Sequence, residues 1–104
     1  MIIYNVTINI DNSVQDEWLR WMKDKHIPDV LKTGLFTRNT ILKVLGDEDS
    51  GGHTYSIQYT CASMDDFNRY ENEYAPALRA EHDKKYKDKF VAFRTMLEVI
   101  QWTE

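Results

Sequence analysis

The chain has little that could staple or anchor it. Its 104 residues include one cysteine, Cys61, two prolines and four glycines. A single thiol forms no internal disulfide, which excludes a cross-linked secreted scaffold and fits a reducing, cytoplasmic setting. At a strand end, Cys61 reads as a small buried hydrophobe rather than a nucleophile. No apolar run approaches the roughly 20 residues needed to cross a bilayer. The opening MIIYNVTINIDNS lacks a basic leader and a small-residue cleavage site, so it reads as fold rather than signal. Positive charge is also scarce: 13 Lys and Arg against 17 Asp and Glu leave a net charge of −4, which opposes binding to nucleic acid. The one basic run, KKYKDK at residues 84–89, is interrupted by Tyr86 and Asp88 and reads as a solvated helix end. There is no Gly-rich phosphate loop, no Ser-His-Asp pattern and no paired-carboxylate motif. His26, His53 and His82 stand on three separate elements without an i,i+4 pair, so neither a metal centre nor a cofactor is expected.

Aromatics are plentiful, with three Trp, six Tyr and four Phe. They supply large buried areas and line both pockets and subunit interfaces. A chain of this length is expected to form one domain.

Period-two alternation marks residues 2–10 as a strand, with Ile2, Tyr4, Val6, Ile8 and Ile10 on one face. Ser13 followed by Asp16 resembles a capping box, and Val14, Trp18, Met22 and His26 then recur every fourth residue. The stretch KHIPDVL should end this helix near His26, because Pro28 biases Ile27 out of the α region. Pro28 also suits the start of a new turn, PDVLKT, closed by a left-handed Gly34. A less regular strand is expected over 36–46 at a sheet edge, then a turn at 46–52 and a third strand over 53–61. Ser63 and Asp66 repeat the cap signature before a second helix with the stripe Phe67, Tyr70, Tyr74, Leu78 and His82. Pro76 should break that helix near Ala75, with resumption to about Lys87 and a last strand over 90–102.

The order β-α-β-β-α-β predicts a ferredoxin-like α+β fold, a four-stranded antiparallel sheet with two helices on one face. Right-handed crossovers put the first and third strands in its centre. The outward face of those two strands is then Asn5, Thr7, Asn9, Ser56, Gln58 and Thr60, all uncharged hydrogen-bonding residues. Solvated faces usually carry charge and dry cores carry aliphatics. This face therefore predicts a covered but wet surface, and with helices opposite, the cover should be a second copy in a two-fold homodimer.

That order, the aromatic helix ending WLRWMKDKHIPDVL and the late strand FVAFRT resemble the dimeric α/β-barrel superfamily over essentially the whole chain. Within it, the sequence is most similar to a group of short bacterial proteins classed as a domain of unknown function. The superfamily includes cofactorless monooxygenases, muconolactone isomerases, EthD-type proteins, haem-degrading monooxygenases and chlorite dismutases. The resemblance implies a pocket between sheet and helices in each subunit, with His26 beside it. Chlorite dismutases hold haem in a longer chain than this one.

In such a pocket a neutral imidazole at position 26 could accept a proton from an acid or phenol, with Asp29 to orient it. His26 is the candidate catalytic residue. Asn5, Trp18, Met22, Tyr55, Tyr59, Tyr70, Tyr74 and His82 are the other candidate lining residues, and Thr7, Asn9, Ser56, Gln58 and Thr60 form the candidate dimer face. Haem-degrading relatives use a first-strand Asn, a His on the second long helix and a Trp. Asn5 and His82 match those element types, whereas Trp18 and Trp21 sit on the other helix. The expected activity is binding of a small, partly aromatic molecule, with cofactor-independent oxygenation or isomerisation, or a purely binding or assembly role, as the alternatives.

Overall fold

The computed structural model describes residues 1–46 and 51–104. Its elements are β1 (Ile2–Asp11), α1 (Gln15–Trp21), a π-helical turn (Met22–His26), α2 (Ile27–Leu31), β2 (Arg38–Lys43), β3 (Gly52–Cys61), α3 (Met64–Glu73), α4 (Ala75–Lys85) and β4 (Phe90–Glu98). The four strands form one antiparallel sheet in the order β2-β3-β1-β4. This is the ferredoxin-like α+β arrangement, with β1 and β3 central as right-handed crossovers require. The helices cover one face only. Between sheet and helices lies a continuous core that includes Ile10, Trp18, Val30, Ile57, Cys61 and Tyr86, all fully buried.

Pairing in register carries the alternation of β1 across the sheet. Tyr4 stands opposite Tyr59 and Met96, Val6 opposite Ile57 and Arg94, and Ile8 opposite Tyr55 and Ala92. These residues face the helices. Their neighbours Asn5, Thr7 and Asn9 face away, level with Gln58, Ser56 and Thr54.

The first helix does not end at His26. The backbone stays right-handed helical through Met22, His26 and Ile27, and continues to Leu31. Pro28 has no N–H to give to a carbonyl in the preceding turn, and its ring would crowd that carbonyl in a regular α-helix. The chain widens by one residue instead: the Ile27 amide donates to the Met22 carbonyl, five residues back. Pro28 then occupies an early position of α2, where a missing donor costs nothing. Gly34, with φ +79°, ends the segment in the left-handed region as expected.

Ser13 does not cap the helix. Its amide and hydroxyl both donate to the Asp11 carboxylate, at 2.8 and 2.6 Å, and these bonds hold Asp11 below the usual carboxylate range. The short Asp11 turn competes successfully for the Ser13 side chain, and α1 starts without a side-chain cap. Ser63 does cap α3, accepting from the Asp66 amide at 3.2 Å. The second helix breaks at Tyr74 (φ −121°, ψ −38°), one residue before the expected Ala75, and α4 ends at Lys85 rather than Lys87.

Both outer strands are shorter than the alternation suggested. β4 stops at Glu98 because its partner β1 begins at Ile2, directly opposite. β2 starts at Arg38, since Phe36 leaves the strand to pack edge-on against Tyr70 at 4.8 Å. Of the turn expected at 46–52, residues 47–50 lie outside the described residues. No helix among the described residues is long and apolar enough to cross a membrane.

Candidate functional site

β4 is an edge strand, and two of its three helix-facing residues beside the core are small or polar: Phe90, Ala92 and Arg94. Short side chains at Val6 and Ala92 leave space under the helical layer. A narrow pocket opens to solvent there, with room for a few water-sized molecules as the side chains stand. Its floor is Tyr4, Val6, Ile8, Ile57 and Tyr59; the helices contribute Met22, His26, Tyr70, Arg79, His82 and Asp83.

The π-turn places His26. With one extra residue in the turn, the ring is half-buried and stacks on Trp21 at 5.3 Å, with the His82 ring 5.8 Å away. Burial, reinforced by the nearby His82, lowers the His26 pKa to about 4. His26 is therefore neutral at pH 7. Its Nδ1 is buried and has no hydrogen-bond partner in the protein.

His82 is held from both sides. The Trp18 indole Nε1 donates to its Nε2 at 3.0 Å, and its Nδ1 lies 3.3 Å from the Asp83 carboxylate. An indole N–H can only donate, so in the neutral ring the proton sits on Nδ1 and points to Asp83. Burial lowers the His82 pKa, with Asp83 opposing the shift. Phe90 packs edge-on against the ring at 4.6 Å.

On the other side of the pocket two guanidinium groups converge on one phenol. Arg79 and Arg94 donate to the Tyr4 hydroxyl at 2.8 and 3.0 Å. Arg79 also makes a bidentate pair with Glu71, which holds its charge firmly in place. No carboxylate among the described residues pairs with Arg94. Burial raises Tyr59 and Tyr70 far above the usual phenol range, so both stay protonated. Tyr4, Phe36, Tyr59, Phe67 and Tyr70 form one cluster of stacked, tilted and edge-on rings behind them.

Of the residues proposed from sequence, Met22, His26, Tyr59, Tyr70 and His82 come together in this pocket. Four do not line it. Asn5 points to the open face of the sheet, where it bonds Thr7 and Ser56, because strand alternation turns it away from the helices. Trp18 lies behind His82 rather than in the pocket. Tyr55 packs on Trp18 and accepts from Gln15 at 2.6 Å. Tyr74 marks the helix break and lies outside the pocket wall.

Sequence reading missed Tyr4, Arg79, Asp83 and Arg94 as pocket residues. Ala75, Leu78, Arg79, His82 and Tyr86 share the inward face of α4, so Arg79 lies beside the expected Leu78–His82 stripe, where a charged side chain does not mark a buried face. Asp29 is drawn away from His26 by Lys25, their side chains 2.5 Å apart. Cys61 is fully buried and its thiol pKa is raised by that burial, so it is no nucleophile at neutral pH. Among the described residues no group of three His, Cys, Asp or Glu is placed to hold a metal ion.

Of the candidate dimer residues, Thr60 is already buried within the single chain, whereas Thr7, Asn9, Ser56 and Gln58, on the same side of the sheet, lie on the open face. There the Ser56 hydroxyl donates to Asn5, Asn5 to Thr7, Gln58 to Ser56 and Asn9 to Thr54. This ladder is flanked by exposed apolar side chains, Val91, Phe93 and Leu97 from β4 and Leu42 from β2.

Several solved structures share this architecture. A dimeric ferredoxin-like protein from an uncultured marine organism is 14% identical, with a TM-score of 0.70 and 100% and 99% of the two chains covered. SnoaB, a cofactor-independent oxygenase from Streptomyces nogalater, is 15% identical at a TM-score of 0.72, covering 97% of this chain and 95% of its own. MhuD, solved with two manganese protoporphyrin IX bound per active site, is 18% identical at a TM-score of 0.72, with 100% and 99% covered. At such identities the likeness establishes the fold alone. No curated protein matches the sequence. The model of one family does match, over residues 1–100, and the chain belongs to it: the family described as Domain of unknown function (DUF4286).

Proposed function

We propose that this chain is a cytoplasmic, single-domain protein that pairs through its open sheet face and binds a small, partly aromatic molecule in the pocket beside His26. One observation carries the binding reading. Two converging guanidinium groups and an unpartnered neutral imidazole face the same largely apolar space. Ligand sites are typically apolar cavities with a few polar groups that fix orientation.

Pairing is supported by the uncharged ladder and its apolar flanks, with Val91 70% and Phe93 63% exposed in the single chain. Contiguous exposed apolar residues around a bonded polar centre suit a buried, partly wet interface better than bulk water. A structural relative is itself described as dimeric. The lone buried Cys61 suits a reducing compartment.

A second reading adds chemistry to binding. A cofactor-independent oxygenase shares the fold, and a neutral His26 with a free ring nitrogen is the group able to take a proton from a phenolic or enolic substrate. Haem degradation has less support, because Asn5 lies on the far side of the sheet from the pocket.

The test is a titration of the labelled protein with phenols, quinones and haem, followed by oxygen consumption with any compound that binds. Shifts at Met22, Tyr59 and His82, weakened in His26→Ala, are expected. Failure of every compound to perturb these positions defeats the binding reading. Binding without turnover leaves the non-catalytic module.

A further inference from the structure

We infer that the pocket is built for a hydroxylated aromatic monocarboxylate, its carboxylate held at Arg94 and Arg79 and its hydroxyl at His26. This rests on the binding reading above and adds the chemical class of the ligand.

The two arginines differ in what they have left to offer. Arg79 is neutralised by Glu71, yet its Nε is buried without a partner. Arg94 spends its Nε on the Tyr4 hydroxyl, a neutral oxygen, and no described carboxylate balances its charge. Both guanidinium groups converge on the Tyr4 hydroxyl, which holds the Arg94 head at the pocket wall with no other partner for its two Nη groups among the described residues. An anionic oxygen beside that hydroxyl would meet the Arg94 Nη donors, held in place by the Nε bond to Tyr4, with Arg79 Nε as the further unpaired donor.

His26 Nδ1 is the second buried polar atom in the pocket wall without a protein partner. Leaving such groups unpaired in the folded chain is costly. A ligand carrying an acceptor at one end and a hydroxyl at the other satisfies both. The His82 ring cannot compete for that hydroxyl, since Trp18 and Asp83 already engage both nitrogens. Arg94 faces the same space as the imidazoles, since all three line one pocket and the His82 ring lies 5.8 Å from His26.

Between these ends the walls are Ile57, Tyr59, Tyr70, Phe90 and Met22, which favour a flat apolar body. Asp83, half exposed at the mouth, lines the pocket too and disfavours a second negative group. The preferred ligand is therefore a monoacid rather than a diacid.

The probes are 4-hydroxybenzoate, its neutral isostere 4-hydroxybenzamide, and benzoate, titrated into the full-length protein by calorimetry and amide-shift mapping. The acid should bind about tenfold or more tighter than the amide, as expected for a charge-assisted pair. Arg94→Gln should bring the affinity for the acid down toward that for the amide, with a clearly smaller loss for the amide, and the amide-shift map of the unliganded variant reports whether the fold is kept. Benzoate should bind more weakly than 4-hydroxybenzoate in the wild type, and equally in His26→Phe. Equal affinity for acid and amide at the pocket overturns this inference while the pocket reading survives. Parallel loss of acid and amide in Arg94→Gln overturns it as well. No perturbation by any of the three compounds removes both.

Discussion

The Trp18 indole donates to His82 across 3.0 Å, tying α1 to α4 through a buried hydrogen bond 64 residues apart in sequence. Trp18 is 0% exposed and His82 6%. The bond also selects the histidine tautomer, with the proton on Nδ1. Trp18→Phe removes the donor, leaves Nε2 unpaired and opens a small cavity. The expected cost is about 2–4 kcal/mol, or roughly 4–8 °C in Tm for each kcal/mol at this chain length. Nitrogen NMR of the His82 ring should show the Nδ1–H form in the wild type and a mixture in the variant. An Nε2–H ring in the wild type would contradict the assignment.

Stability should fall in mild acid. His26 titrates at about 4 in the folded chain, and burial lowers His82 as well. Unfolded histidines titrate near 6.5, so below that pH the unfolded chain binds protons that the folded chain refuses. The stabilisation is complete above about pH 6.5 and is lost as pH drops toward 4, on the order of 2–3 kcal/mol for His26. Denaturant melts at pH 7, 6, 5 and 4 measure it. His26→Phe should flatten the profile, and an unchanged slope in that variant would assign the effect elsewhere.

Charge on the open sheet face should separate the proposed pair. Phe93 lies level with Thr7 and Ser56 across three strands. Phe93→Glu places a carboxylate where a partner copy would cover it, at a cost of several kcal/mol if left unpaired. Light scattering at micromolar concentration should read a dimer for the wild type and a monomer for the variant. Equal masses for both proteins would remove the sheet-face interface.

The two serines before the helices should behave differently despite their matching sequence context. Ser63 accepts from the Asp66 amide, so Ser63→Ala should cost about 1 kcal/mol. The Ser13 hydroxyl serves Asp11 instead of the helix. Ser13→Ala should therefore cost clearly less than Ser63→Ala in paired chemical melts. The reverse ranking would restore a capping role to Ser13.

Much of the fold was readable because alternation is a local property. Ile2 through Ile10 and Tyr55 through Cys61 announce their own buried faces, and pairing in register only adds those faces together. The uncharged ladder was readable for the same reason. The pocket was readable only where a residue's phase survived from sequence to structure. His26 and His82 were found because each ends an apolar stripe. Arg79 was missed because a charged side chain beside Leu78 does not announce an inward face, and Tyr55 was misplaced because Trp18 and Gln15 engage its ring and hydroxyl.

Pro28 shows the division most directly. Its sequence context states that the helix cannot continue in regular form, and says nothing of how the conflict is resolved. Ending the helix and widening it by one residue both relieve the ring. The choice fell to packing, since continuing buries Ile27 and Val30 against the core. The sequence alone thus determined the strand faces, the element order and the uncharged side of the sheet, all set by spacing along the chain. Tertiary structure decided which polar groups meet: Tyr4 with Arg79 and Arg94, and Trp18 with His82. Those partners come from distant elements, and their meeting depends on the depth and rotation at which each helix settles on the sheet.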